Sequence, residues 1–130
     1  MDPRLKAFED LLDVMDRLRA ECPWDKKQTI ASLRKLTIEE TYELSDAIIV
    51  DYLVAIKEEL GDIMLHLIFY SKIASEQNAF DITDVLTSIK EKLIYRHPHI
   101  YGNTIVADEE EVARNWEALK MKEGKKSVLE

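Results

Sequence analysis

Only three Gly and three Pro punctuate this 130-residue chain, too few turn formers for a many-stranded sheet. Leu, Ile, Glu, Lys and Ala dominate the remainder, a composition that favours helices. With 46% hydrophobic and 34% charged residues, the chain has enough apolar side chains for a core and is unlike a disordered segment. Its length suits one ordinary domain, residues 1–130. An all-α fold is expected.

The apolar periodicity divides that fold into helices. Asp2 and Pro3 read as an N-cap followed by Pro at the first helical position. Leu5, Phe8, Leu12, Met15 and Leu18 then recur at steps of three or four and stop before Cys22-Pro23. Residues 21–29 read as a loop and 30–33 as a short turn. A second helix is expected over 37–49, with Thr37 as N-cap of a capping box closed by Glu40. A third is expected over 51–77, and its second half is apolar nearly all round through Ile63, Met64, Leu65, Leu67, Ile68 and Phe69. Such a helix must be covered on every side. With so few helices available, the cover is expected to include a second copy in a homodimer or higher symmetric oligomer. A fourth helix begins at 81–83, carries Val85, Leu86, Ile89 and Leu93, and ends at His97-Pro98. Asp108 caps a fifth whose Val112, Trp116 and Leu119 face inward. The expected architecture is a four to five helix bundle completed by dimerisation, with a loose tail from Lys122 to the end.

Charge and cysteine content narrow the function classes. A net charge of −8 opposes nucleic-acid binding, which depends on neutralising phosphates with Lys and Arg. One cysteine, Cys22, excludes an internal disulfide framework and has no evident partner base. The N-terminus lacks the basic-then-apolar build of a secretory signal. The most apolar stretch, residues 63–73, is short and carries His66 and Lys72, so no membrane span is expected. A cytoplasmic location follows.

Two acidic clusters carry the chemistry. Glu39, Glu40 and Glu43 sit at helical spacing on one segment, and Glu59 and Asp62 on another, so each set projects from one helix face. Crowded carboxylates repel and resist desolvation unless a cation neutralises them. Oxygen-only ligands suit Mg2+, with Mn2+ as a substitute, better than zinc. The bland alternative is a solvated acidic face, and for Glu40 a capping box. Glu59 and Asp62 lead into the most apolar helix, where solvated acids are unexpected. Gly61 between them costs about 1 kcal/mol relative to Ala, which points to room needed for a ligand or a neighbouring backbone. Glu58 lies around the helix from Glu59 and reads as a surface residue.

Among the cations, Lys92 and Arg96 are four residues apart, as are Trp116 and Lys120. Either pair could face a di- or triphosphate, or Lys92 and Arg96 could complement a helix C-terminus while Trp116 packs in the core. His97 and His99 without a third nitrogen or sulfur ligand make a weak zinc pattern. His66 reads as a hydrogen-bonded core residue.

Taken in order, Cys22-Pro23-Trp24-Asp25 with Gln28-Thr29, the EExxE of Glu39, Glu40 and Glu43, Glu59-Leu60-Gly61-Asp62, Lys92 and Arg96 with His97-Pro98-His99, and Trp116-Glu117 with Lys120 resemble the MazG family of nucleoside triphosphate pyrophosphohydrolases, within the all-α NTP pyrophosphatase superfamily. The resemblance implies Mg2+-dependent release of pyrophosphate from a nucleoside triphosphate, leaving the monophosphate. It implies Glu40, Glu43, Glu59 and Asp62 as Mg2+ ligands. Glu39 would be a supporting acid or base beside Glu43 in catalysis, and Lys92, Arg96, Trp116 and Lys120 would contact the nucleotide. No covalent nucleophile is needed. The chain departs from the family where Ile30 replaces a common His and Tyr95 a common Arg, both on the nucleotide side. Many members carry two copies of the domain, so this chain is also expected to read as an N-terminal copy whose tail, 122–130, begins a linker. The alternative function is a catalytically weak copy that serves as a dimerisation or regulatory module. A dinuclear-iron bundle is disfavoured because its Glu-x-x-His pairs are missing.

Overall fold

The computed structural model describes residues 1–124. These form helices and no strand, in two compact units, Met1–Ile82 and the segment from Thr83 onward. The loose tail expected from Lys122 lies partly inside α7, described below, and 125–130 fall outside the described residues.

In the first unit, α1 is Pro3–Glu21, α2 Pro23–Lys27, α3 Ile30–Ile49 and α4 Leu53–Glu76. Asp2 caps α1 as expected, its carboxylate accepting from the Arg4 N–H at 2.9 Å. The expected loop over 21–29 instead contains α2, begun by Pro23 at its first position. The Arg19 guanidinium holds this short helix by donating from Nη1 to the carbonyls of Asp25 (2.6 Å), Lys26 (3.1 Å) and Gln28 (2.9 Å). Its remaining nitrogens reach Glu76 at the end of α4. One side chain thereby ties α1, α2 and α4 together.

The start of α3 differs from expectation. Thr29, not Thr37, is the N-cap. A reciprocal capping box joins the Ser32 N–H to Thr29 Oγ1 (3.0 Å) and the Thr29 N–H to Ser32 Oγ (2.8 Å). The expected turn at 30–33 is the first turn of this helix. Thr37 lies mid-helix with its hydroxyl turned back on the Leu33 carbonyl at 3.1 Å, so Glu40 closes no capping box.

A three-residue connection folds α4 back against α3. The Asp51 N–H donates to the Ile48 carbonyl (3.0 Å) and the Tyr52 N–H to the Ala47 carbonyl (3.3 Å). Asp51 takes a left-handed φ of 55°, a conformation that Asp tolerates better than bulky residues. This double-bonded helix stop recurs at Asn78 after α4. The core joins Met15 of α1, Leu33 of α3, and Ile68, Phe69 and Ile73 of α4, with Phe8, Leu11, Leu12, Leu36, Leu65 and Tyr70 packed around them. The expectation that α4 is apolar all round is met in composition, yet Leu60, Met64 and Leu67 form an exposed row on its outer face.

The second unit holds most of α5 (Ile82–Arg96), then α6 (Pro98–Tyr101) and α7 (Glu109–Lys122). Past His97, where the fourth helix is expected to end, the chain runs into the single helical turn of α6. At its end a Cβ on Gly102 would meet the Pro98 carbonyl at 2.9 Å. Asp108 caps α7 by accepting from the Glu111 N–H at 3.0 Å, as expected. Val112, Trp116 and Leu119 are half-buried, whereas Val85, Leu86, Ile89 and Leu93 of α5 are exposed. The five expected helices are present, with α2 and α6 added.

Candidate functional site

The hairpin of α3 and α4 brings the two acidic clusters together. Glu40 and Glu43 stand one turn apart on α3, and Glu59 faces them from α4. One carboxylate oxygen from each lies within 4.8 Å of the other two. Glu40 and Glu59 are half-buried and Glu43 is exposed. One oxygen of Glu40 and one of Glu59 are buried with no hydrogen-bond partner.

The electrostatics follow from this crowding. Loss of solvent, then the Glu43 charge, pushes Glu59 from the ordinary carboxylate value up to about 7. Glu40 is raised for the same first reason, with the charges of Glu43 and Asp62 adding to it. Buried, unpartnered carboxylate oxygens that repel one another are a costly arrangement in an isolated chain. A divalent cation removes both costs. Two oxygens on opposite sides of Mg2+ are about 4.2 Å apart, so acids already this close need only small side-chain rotations to share an ion. The residues present fit Mg2+ or Mn2+ on donor type and spacing.

Asp62 lies outside the closest triad, exposed, though near enough for its charge to act on Glu40. Glu39 is exposed on α3. A Cβ placed on Gly61 would meet nothing within 4 Å, so no neighbouring backbone of this chain explains the glycine. A second acidic triad, Glu9, Asp10 and Asp13, had no part in the sequence reading. It is exposed on α1, with Lys6 paired to Glu9 at 3.3 Å and Asp10 at 2.9 Å.

In the second unit the structure brings Arg96 and Trp116 together, the guanidinium 5.5 Å from the ring centroid. Arg96 also pairs with Glu123 at 3.0 Å, a partner the sequence did not reveal. Lys120 lies 3.7 Å from Glu117, and Lys92 is exposed. His97 meets the Trp116 ring edge-on at 4.9 Å and uses Nδ1 on the Leu93 carbonyl at 2.6 Å. His99 Nδ1 is buried without a partner. His66 is a buried, hydrogen-bonded residue as expected, with Nδ1 2.6 Å from Thr37 Oγ1. That partner was hidden by reading Thr37 as a helix cap.

Fold and site together define an all-helical domain whose acids meet across the seam of a helix hairpin. Residues 28–101 match the MazG nucleotide pyrophosphohydrolase domain, and the chain belongs to that family. It is 38% identical over 122 residues to a nucleoside triphosphate pyrophosphohydrolase of Escherichia coli, covering 92% of this chain and 46% of that protein. It is 44% identical over 122 residues to the nucleoside triphosphate pyrophosphohydrolase/pyrophosphatase MazG of Thermotoga maritima, with the same coverages. The chain thus spans less than half the length of these relatives. The crystal structure of a mazG-related protein from Thermotoga maritima superposes with a TM-score of 0.74 at 26% identity, covering 87% of this chain and 98% of that one. No described helix is long and apolar enough to cross a membrane.

Proposed function

We propose that this domain hydrolyses nucleoside triphosphates to the monophosphate and pyrophosphate in a Mg2+-dependent reaction. The observation that carries the reading is the pair of buried, unpartnered carboxylate oxygens of Glu40 and Glu59 facing each other across α3 and α4. The names of the relatives supply the reaction class.

Glu40, Glu43, Glu59 and Asp62 hold the ion, and Mn2+ can replace it. When bound, the cation offsets charge on the phosphate oxygens. The chain's own residues do the rest. Glu39, exposed beside the triad, or Glu43 orients the attacking water and accepts its proton. The water oxygen bonds to the α-phosphorus, the bond from that phosphorus to the bridging oxygen breaks, and pyrophosphate leaves. Lys92, Arg96, Trp116 and Lys120 contact the nucleotide, with Arg96 already oriented by Trp116 and Glu123. Water as nucleophile agrees with the absence of an activated Cys or Ser among the candidate residues. The exposed Leu60, Met64 and Leu67 row gives a second copy of the chain an apolar surface to cover, which supports a homodimer.

The test is pyrophosphate release from a panel of ribo- and deoxynucleoside triphosphates with and without Mg2+, against Glu43→Gln as control. Turnover no greater than the control for every nucleotide would leave only the alternative, a dimerisation or regulatory copy.

A further inference from the structure

One turn along the seam from the acids, Thr37 Oγ1 lies within hydrogen-bond distance of three groups. These are the Leu33 carbonyl on its own helix (3.1 Å), His66 Nδ1 (2.6 Å) and the Tyr70 hydroxyl, the last two on α4. A hydroxyl has one proton to give and two lone pairs to receive with. If its proton goes to the Leu33 carbonyl, which can only accept, both remaining groups must donate. His66 is then held with a proton on Nδ1. Through this one oxygen two side chains of α4 are joined to α3.

The hub is placed to matter for the acids. Thr37 precedes Glu40 by three residues on α3, about 4.5 Å along the axis, and His66 follows Glu59 by two turns on the same face of α4. Glu40, Glu43 and Glu59 repel one another across the seam, so in a cation-free chain the helices tend to part at that rung. Apolar packing is weakly directional and resists rotation of one helix on the other less well than a fixed set of hydrogen bonds.

We propose that Thr37 is a positioning residue for divalent-cation binding: its hydroxyl, anchored on Leu33 and receiving hydrogen bonds from His66 and Tyr70, holds α3 against α4 so that Glu40 and Glu43 face Glu59. The proposal rests on the acids being the metal site. Preorganisation of this kind acts on the affinity for the ion, and supporting hydrogen bonds around metal ligands typically account for 10- to 100-fold in affinity.

The experiment uses the full chain and Mn2+ as a direct probe, with free Mn2+ read by electron paramagnetic resonance in the absence of nucleotide. Thr37→Val should weaken Mn2+ binding about tenfold. It should raise the Mg2+ needed for half-maximal pyrophosphate release by the same factor, with the nucleotide KM at saturating Mg2+ changed less than about twofold. Thr37→Ser, which keeps the hydroxyl, should restore the affinity. Tyr70→Phe removes one arm of the hub and should weaken Mn2+ about threefold, providing the measurement should Thr37→Val not fold. In 15N spectra His66 should carry its proton on Nδ1 in the parent chain and lose that preference in Thr37→Val. Unchanged Mn2+ affinity in either folded variant overturns the proposal, as does failure of Ser to rescue. If the parent chain binds Mn2+ but releases no pyrophosphate, the reaction is wrong while Thr37 is still judged by the Mn2+ titration. If the parent chain takes up no Mn2+, both fall.

Discussion

Two carboxylate triads in this molecule each bring one oxygen per acid within 4.8 Å of the others, yet they differ in burial, origin and partners. Glu9, Asp10 and Asp13 sit exposed on a single helix, α1, and Lys6 already pairs with two of them. Glu40, Glu43 and Glu59 come from two helices; Glu40 and Glu59 are partly withdrawn from water, and each leaves a buried oxygen without a partner. Closeness of acids is therefore a poor guide to a cation site. Adjacent turns of any Glu-rich helix produce it, and water with a neighbouring Lys satisfies it at little cost. The informative combination is convergence from separate elements with desolvation and no counter-charge, since that arrangement is destabilising until something cationic arrives.

The sharpest way to break this comparison is to neutralise one acid in each triad. Glu59→Gln should lower pyrophosphate release about 100-fold or more, whereas Asp13→Asn should leave it within about twofold. Equal losses would show that the buried triad has no special role. Next in size is the response to the ion itself. Mg2+ at about 100 times its Kd should stabilise the parent chain by about 2.7 kcal/mol, seen as a rise in melting temperature that Glu59→Gln abolishes and Asp13→Asn retains.

The pH dependence of the metal-free chain is a smaller effect with a defined sign. Glu59 is raised from its ordinary value up to about 7, so between those values the folded chain holds a proton that the unfolded chain has released. Its contribution to stability is full below the unfolded value and lost as pH rises through about 7. Melting temperature without metal should fall between about pH 4.5 and about pH 7, and Glu59→Gln should flatten that step. Glu76 behaves oppositely, because the Arg19 guanidinium holds its carboxyl below the usual value. Its contribution is present above the unfolded value and lost as pH falls through the folded one. The smallest expected effect is at Gly61. A Cβ there meets nothing, so Gly61→Ala should stabilise the isolated chain by about 1 kcal/mol. A loss of activity in that stabilised variant would show that the open space beside Glu59 is used during turnover.

The sequence revealed the acids better than the frame that holds them. The spacings of Glu39, Glu40 and Glu43 on one segment and of Glu59 and Asp62 on another need only helical periodicity to be read, and the long helices came from the same signal. The start of α3 was misplaced because two Thr residues each precede a suitable partner by three positions. Thr37 with Glu40 fits the usual capping-box pattern better than Thr29 with Ser32, so the start of α3 is settled by structure, where Thr29 and Ser32 bond reciprocally and Thr37 bonds to α4. Helix α2, at five residues, is too short for periodicity to register. In the second unit Arg96 and Trp116 were legible as a pair of candidates. The pairing of Arg96 with Glu123 spans 27 residues and leaves no trace in local spacing.

The short connection at Asp51 has a consequence in time as well as space. Glu43 and Glu59 are joined through a hairpin whose closure fixes few residues, so the entropy of bringing them together is small. Local helix pairs of this kind form early, ahead of elements that must dock from farther along the chain. The carboxylate centre thus lies within a pairing of low sequence separation, of the kind that closes early, and its acids all precede α5 in the chain.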